Sequence, residues 1–599
     1  MTKKQLASVL LPLGLIGLVV LFLGIFNSSA LLILLAVTLL ILWIGVYRLT
    51  RDVIPLETHR NETNEYIDNL KKWLSEGNRA LIILGVLGFI GGASNNSIAV
   101  MIIGVILVIG GGWGYKIKTT NKTKEHSAGI HTDHGSAAWA TKEEIKRSGL
   151  TNQSTGLYIG GDCLRNKAGH LCTIAGSGQG KGVCQIIPSL LVNPFCSYVI
   201  TDPKGENAFI TARFQKSAGQ KVYIIDPWNE QEKMGATHGI NASGFNPFAF
   251  IKYEIAELRD NCEQIAAYLI PDKDAKDPYW NDRARSMIKV LLMHIVTALP
   301  ESEHNFWTLY KMLRLSGDEW LELLVDLKMN QHEDGLIAIA AEELIGIEKS
   351  GSTMAGIKSS AQNATTIFES PQIRRSLHYN DFNPYSLTNG DCTVYVVIPE
   401  RFLESYSTWL RLVIGLCLKA CNSRPNKRVS FLLDEFAVLG KMKDVQRGFA
   451  FARGQNIVLW TFVQSLSQLK DNYGEDGMNT FISNAAVFQT FGIKDQFSTE
   501  YVSKLLGEGT RSKDTFSYSA GSSSTHTQSS QTFARRVLTP DEVSTSPSII
   551  TIADGLRIQL PKMAYFKNPG NDAVFGTDSI KGSPEWYGDF KNRADPAPR

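Results

Sequence analysis

Apolar positions divide the 599-residue chain into three regimes. The first lies near the N-terminus. Apolar runs at 6–26 (LASVLLPLGLIGLVVLFLGIF) and 30–48 each approach the ~20 residues that cross a bilayer. The first run is too long for the apolar core of a cleaved signal peptide. Two shorter runs, 80–93 and 98–114, flank Ser94-Asn95-Asn96-Ser97 and read as two tight spans rather than one re-entrant segment. Lys3, Lys4, Arg48, Arg51, Arg79, Lys116 and Lys118 all fall on one side if both hairpins dip outward and return. Positive charge marks the cytoplasmic side, so everything after 114 is expected there.

The second regime consists of short apolar runs ending on polar residues. They are 170–174 (HLCTI), 197–203 (SYVITDP), 221–227 (KVYIIDP), 392–400 (CTVYVVIPE), 429–436 (VSFLLDEF), 456–465 (NIVLWTFVQS) and 485–493 (AAVFQTFGI). Strands of this kind alternating with helices predict an α/β fold with a doubly wound parallel sheet. Such sheets bind ligands at the carboxyl ends of their strands, where Asp202, Lys204 and Glu206 of DPKGE would lie.

The third regime, from about 254 to 378, has helical spacing, as in WNDRARSMIKVLLMHIVTAL. Its heart, 280–350, carries 12 acids against 7 bases, a sign that disfavours docking on DNA phosphates and suits either a basic protein partner or simply a solvated helical surface. The expected organisation is then a membrane anchor over 1–118 and an α/β domain over 119–265 and 379–575. An all-α domain is inserted at 266–378, and a polar tail occupies 576–599. Residues 511–534, rich in Ser and Thr and poor in apolar side chains, are expected to form a flexible loop.

Composition adds two constraints. A net charge of +3 announces no global affinity for nucleic acid. Eight scattered cysteines without a CxxC pair fit a core role in a reducing compartment.

The candidate chemistry sits at AGSGQGKG, 175–182, between an expected strand and an expected helix. Strand, glycine loop and helix are the context a phosphate-binding loop requires. Gly176, Ser177, Gly178, Gln179, Gly180, Lys181, Gly182 and Val183 would cradle phosphate oxygens with backbone N–H groups, and Lys181 would reach the β- and γ-phosphates. Gly182 stands where Ser or Thr usually ligates Mg²⁺, so the metal must lean on water and a distant carboxylate. Asp434 would hold Mg²⁺, directly or through water, and Glu435 would polarise the attacking water. Gln464, at the end of the next strand, could sense the γ-phosphate or position water. Lys441, Lys443 and Arg447 could line the hole of a ring and follow a phosphate backbone; a solvated basic loop is the alternative.

HGSAAWAT (134–141), AGSGQGKGV, TDPKGE, FNP (245–247), DPYW (277–280), LLDEFAVLG, FARGQNI, FVQSLSQLKDNYG, EYVSKLLGE and RRVLTPDEV occur in an order that resembles the coupling-protein ATPases of type IV secretion and conjugation systems. The resemblance covers about 134–568. It implies a RecA-like P-loop NTPase that uses ATP and Mg²⁺ and assembles as a hexameric ring on a bacterial inner membrane. It also implies partners: inner-membrane parts of the secretion channel, membrane lipid, and a relaxase–DNA complex or effector protein as cargo. Arg453, in FARGQNI, would act as an arginine finger in a neighbour's nucleotide site, Gln464 as the sensor, and the all-α insertion in substrate recognition. Members commonly carry glycine after the P-loop lysine. Many have two spans and a loop outside, where this chain is expected to have four. The alternatives are a receptor for protein cargo only and a chromosome-segregation translocase; the latter would need a C-terminal winged helix that the residues after 575 cannot hold.

Overall fold

A computed structural model describes residues 133–566 and 593–596, apart from 152, 254, 272–277, 423–424, 452–453 and 520–524. The four expected membrane spans, Arg453 and most of the 576–599 tail lie outside the described residues. Among the described residues no helix is long and apolar enough to cross a membrane.

Thirteen strands are described. They are β1 (Leu157–Gly160), β2 (Cys163–Arg165), β3 (His170–Ala175), β4 (Ser197–Asp202), β5 (Lys221–Ile225), β6 (Cys392–Val397), β7 (Val429–Leu433), β8 (Ile457–Val463), β9 (Ala485–Phe491), β10 (Glu508–Ser519), β11 (Thr525–Arg536), β12 (Ile549–Ala553) and β13 (Leu556–Leu560). Nine of them form one sheet in the order β13-β12-β9-β3-β8-β7-β4-β6-β5. From β9 to β5 every pairing is parallel, with Thr173 opposite Phe462 on one side and Gln489 on the other. Every residue of β3, β4, β6, β7 and β8 is buried, which is why these strands read as predominantly apolar runs.

Two expectations need correction. The sheet is mixed: β12 runs antiparallel to β9, and β13 folds back on β12. The turn between them is Asp554-Gly555, with φ of 49° and 81°, the left-handed pair that a two-residue hairpin demands. Residues 511–534, expected as a flexible loop, lie largely within β10 and β11, which pair antiparallel from Glu508 opposite Arg536 to Ser519 opposite Thr525. A two-stranded ribbon satisfies its backbone groups without an apolar core, and threonine suits extended backbone. Its base is fastened by Ala137 N–H donating to the Glu508 carbonyl and Thr510 N–H to that of Gly135.

Helices cover the sheet. The glycine loop leads through one wide π-type turn (Gly182–Ile186) into α1 (Ile187–Val192). α2 (Glu206–Ser217) follows β4. The long excursion between β5 and β6 is helical from α3 (Leu258–Leu269) through Tyr279–Ala298, Phe306–Arg314, Gly317–Met329, Leu336–Glu348 and Gly351–Ala364. Its apolar side chains, among them Leu291, Trp320 and Leu327, join one buried cluster with Val394 and Phe431 of the sheet. Two further helices matter below: α4 (Ser407–Cys421) and α5 (Lys443–Phe451).

Candidate functional site

Glycine shapes the loop after β3. Gly178 and Gly180 have φ of 69° and 89°, and a Cβ on Gly176 would come within 2.4 Å of the Gly492 carbonyl oxygen. The loop can therefore turn over the sheet edge and close on the end of β9 only without side chains at these points. Ser177 and Gly178 form its exposed crest, and the Val183 carbonyl accepts from Tyr565 N–H at 3.0 Å.

At the next level down, Lys181 is buried, with only 7% of its surface exposed. Its Nζ lies 2.7 Å from Glu435 Oε1 and 3.5 Å from Asp434 Oδ1. The partner carboxylates come from the turn after β7, where Glu435 adopts a left-handed backbone of φ 50°. Gln464, one residue past β8, donates through Nε2 to Glu435 Oε2 at 3.0 Å. Glu435 is thus held by an ammonium on one oxygen and an amide on the other. Thr201 Oγ1 donates to the Asp434 carbonyl oxygen at 2.7 Å and ties β4 to the same turn.

Burial works against the Lys181 ammonium, but Asp434 and Glu435 beside it outweigh burial and hold its pKa above the ordinary lysine value. Burial likewise raises Asp434, and Lys181 opposes that rise. The cluster is a cation with two acidic residues in a confined space, electrostatically ready to exchange the ammonium's partner for an incoming anion.

The structure brings Lys181, Asp434, Glu435 and Gln464 together at the carboxyl ends of β3, β7 and β8. It does not place Lys441, Lys443 and Arg447 in that cluster. Lys443 and Arg447 are exposed one turn apart on α5, and Arg447 also lines a cavity of about 410 Å³ with Gln264, Tyr268 and Asp444. Two polar residues next to the loop escape a reading by motif. Lys562 donates to Gln179 Oε1 at 3.2 Å. Asn207, at the start of α2, faces Gly182. Neither position carries a signal in the apolar pattern.

An exposed glycine-loop crest above a buried ammonium suits a polyphosphate. Among the described residues no group of three or more His, Cys, Asp or Glu forms a metal cage. A divalent cation that travels with phosphates needs only one or two protein oxygens, and Asp434 offers one.

The family model described as Type IV secretory system Conjugative DNA transfer matches residues 130–588. The chain belongs to the type IV coupling protein family. Among coupling proteins, the conjugal transfer protein TraG of Escherichia coli is 26% identical over 509 residues, covering 75% of this chain and 76% of TraG. Protein VirD4 of Rhizobium radiobacter is 24% identical over 458 residues, covering 73% of this chain and 64% of VirD4. The solved structure of the conjugative coupling protein TrwB, unbound, has a TM-score of 0.56 at 16% identity over 71% of this chain and 92% of that one. TrwB with the ATP analogue ADPNP gives 0.54 at 15% identity over 72% and 93%. The coupling-protein fold here is therefore TrwB-like, a RecA-type α/β NTPase architecture on a mostly parallel sheet.

Proposed function

We propose that this chain is an inner-membrane coupling ATPase that recruits cargo to a type IV secretion or conjugation channel and energises its transfer. The observation that carries the reading is the convergence of Lys181, Asp434, Glu435 and Gln464 behind a glycine loop in a chain of this family. TrwB has been solved with ADPNP and with ADP and Mg²⁺, which supports ATP and Mg²⁺ as the ligands here.

On this reading, γ-phosphate draws the Lys181 ammonium away from Glu435. The freed carboxylate, still oriented by Gln464, accepts a proton from the attacking water. Mg²⁺, when bound, neutralises phosphate charge during transfer, with Asp434 as its protein carboxylate. Six copies close into a ring, and Arg453 reaches the neighbour's nucleotide to offset charge developing on the transferred phosphoryl group. The segment over 1–118 anchors the ring through four spans. The all-α excursion meets cargo, a relaxase–DNA complex or an effector protein, and Lys441, Lys443 and Arg447 lie along the path of any nucleic acid. The net negative charge of 280–350 favours contact with the protein part of that cargo.

The test is Lys181→Ala in a cell that transfers. ATP turnover and cargo transfer should both vanish while membrane insertion is retained. Transfer at the wild-type rate removes the motor role.

A further inference from the structure

Gly182 leaves the loop without the hydroxyl that usually follows a P-loop lysine. Its φ is not left-handed, so the backbone does not demand glycine, and a Cβ built there meets one atom within 4 Å, Asn207 Oδ1 at 3.7 Å. The space that a serine hydroxyl would occupy is thus bordered by an amide oxygen from another element.

That oxygen is not there by accident of a loose side chain. Asn207 is 4% exposed, on the first turn of α2. Its Nδ2 donates to Asp202 Oδ1 at 3.1 Å, and the Ala208 N–H donates to Asp202 Oδ2 at 2.8 Å. The Asp202 carboxylate therefore fixes the amide plane. With the NH₂ group committed to Asp202, Oδ1 is turned toward Gly182 and accepts no hydrogen bond among the described residues. Thr201, next to Asp202, is bonded to the Asp434 carbonyl oxygen, so the end of β4 that precedes Asn207 is tied to the turn bearing Asp434. An amide oxygen is a suitable hard ligand for Mg²⁺.

We propose that Asn207 Oδ1 supplies the metal-facing oxygen that Gly182 lacks, so that this chain holds the Mg²⁺ of its nucleotide through α2 as well as through Asp434. The inference rests on the nucleotide reading above and adds a ligand to that site.

The experiment measures equilibrium binding of a fluorescent ADP to the full chain in detergent, with Mg²⁺ and with EDTA. The variants are Asn207→Ala alone and combined with Gly182→Ser. Asn207→Ala should weaken the Mg²⁺-dependent part of binding by about tenfold or more while leaving the EDTA value unchanged. Gly182→Ser, which returns a hydroxyl to the same place, should restore most of the loss. Unchanged Mg²⁺ dependence in Asn207→Ala, or an equal loss with and without metal, overturns the proposal. So does failure of the serine to rescue. Absence of nucleotide binding by the wild-type chain overturns the nucleotide reading itself, a different outcome. Should the variants not fold, the wild-type chain decides. Carbonyl-¹³C asparagine is incorporated and Mn²⁺–ADP bound, and electron–nuclear double resonance should show a ¹³C coupling of direct coordination. Its absence overturns the assignment.

Discussion

Lys181 Nζ and Glu435 Oε1 stand 2.7 Å apart although 254 residues separate them in the chain. With the candidate phosphate-binding cation resting on the candidate base, Glu435 is engaged until an anion takes its place on Lys181. Glu435→Gln keeps the shape but can accept no proton. It should retain nucleotide binding and lose about 10²–10⁴-fold in the rate of hydrolysis. Steady-state turnover measured beside nucleotide affinity checks this; a fall in affinity alone would reassign Glu435 to binding.

Gln464 touches the other oxygen of the same carboxylate. Gln464→Ala should lower kcat by about tenfold, with KM for ATP nearly unchanged, because it orients a group rather than binding substrate. Equal loss in both constants would point to ground-state contact.

Arg453 is expected to act across a subunit boundary. Arg453→Ala should cut hydrolysis by about 10³-fold when present in every copy. In mixed rings with Lys181→Ala copies, activity should return at seams that pair an intact Arg453 with an intact Lys181. Activity that tracks only the fraction of unmutated chains places the arginine in its own subunit.

Arg411 on α4 links the helical excursion to the segment that follows the Asp434–Glu435 turn. It donates to the Tyr268 carbonyl of α3 and to the Leu439 carbonyl beyond the Asp434–Glu435 turn, both at 2.8 Å. Burial lowers its pKa to about 10, so it stays charged at neutral pH. Arg411→Ala strands two buried acceptors and should cost ~2–4 kcal/mol. Chemical denaturation followed by intrinsic fluorescence measures the loss, and an unchanged midpoint would mean water replaces the guanidinium.

All eight cysteines are reduced and buried. Burial pushes the Cys172 and Cys392 thiols up to about 12. With folded pKa values this high, the thiolate fraction at pH 8 is on the order of 10⁻⁴. Iodoacetamide should label none of the eight between pH 7 and 9 in the native chain, and all of them after denaturation. Mass spectrometry of the labelled chain reads the outcome.

The central strands and the Lys181–Glu435 meeting are legible in the sequence because each follows from a local rule. A strand buried on both faces must be mostly apolar, as β4 and β8 are, and the glycine loop and acidic turn have fixed places at strand ends. The β12–β13 hairpin carries an equally local signal, Asp554-Gly555 between alternating runs, which a search for continuous apolar stretches passes over. The β10–β11 ribbon lacks such a stretch because its backbone groups pair with each other and need no apolar face. Asn207 facing Gly182 and Lys562 holding Gln179 lie beyond local rules. Each depends on how a helix or strand end returns over the loop, and spacing along the chain does not encode that approach.

β3 sits in the sheet between β8 and β9, and its Thr173 bonds to Trp460, 287 residues further on. At ~5–20 residues per second on the ribosome, the nascent β3 waits roughly 15–60 s for either neighbour to be made. During that interval a mostly apolar strand with two open edges is in the company of other growing chains. Production of this protein should therefore depend on holding chaperones and on slow, cool induction far more than its final burial would suggest.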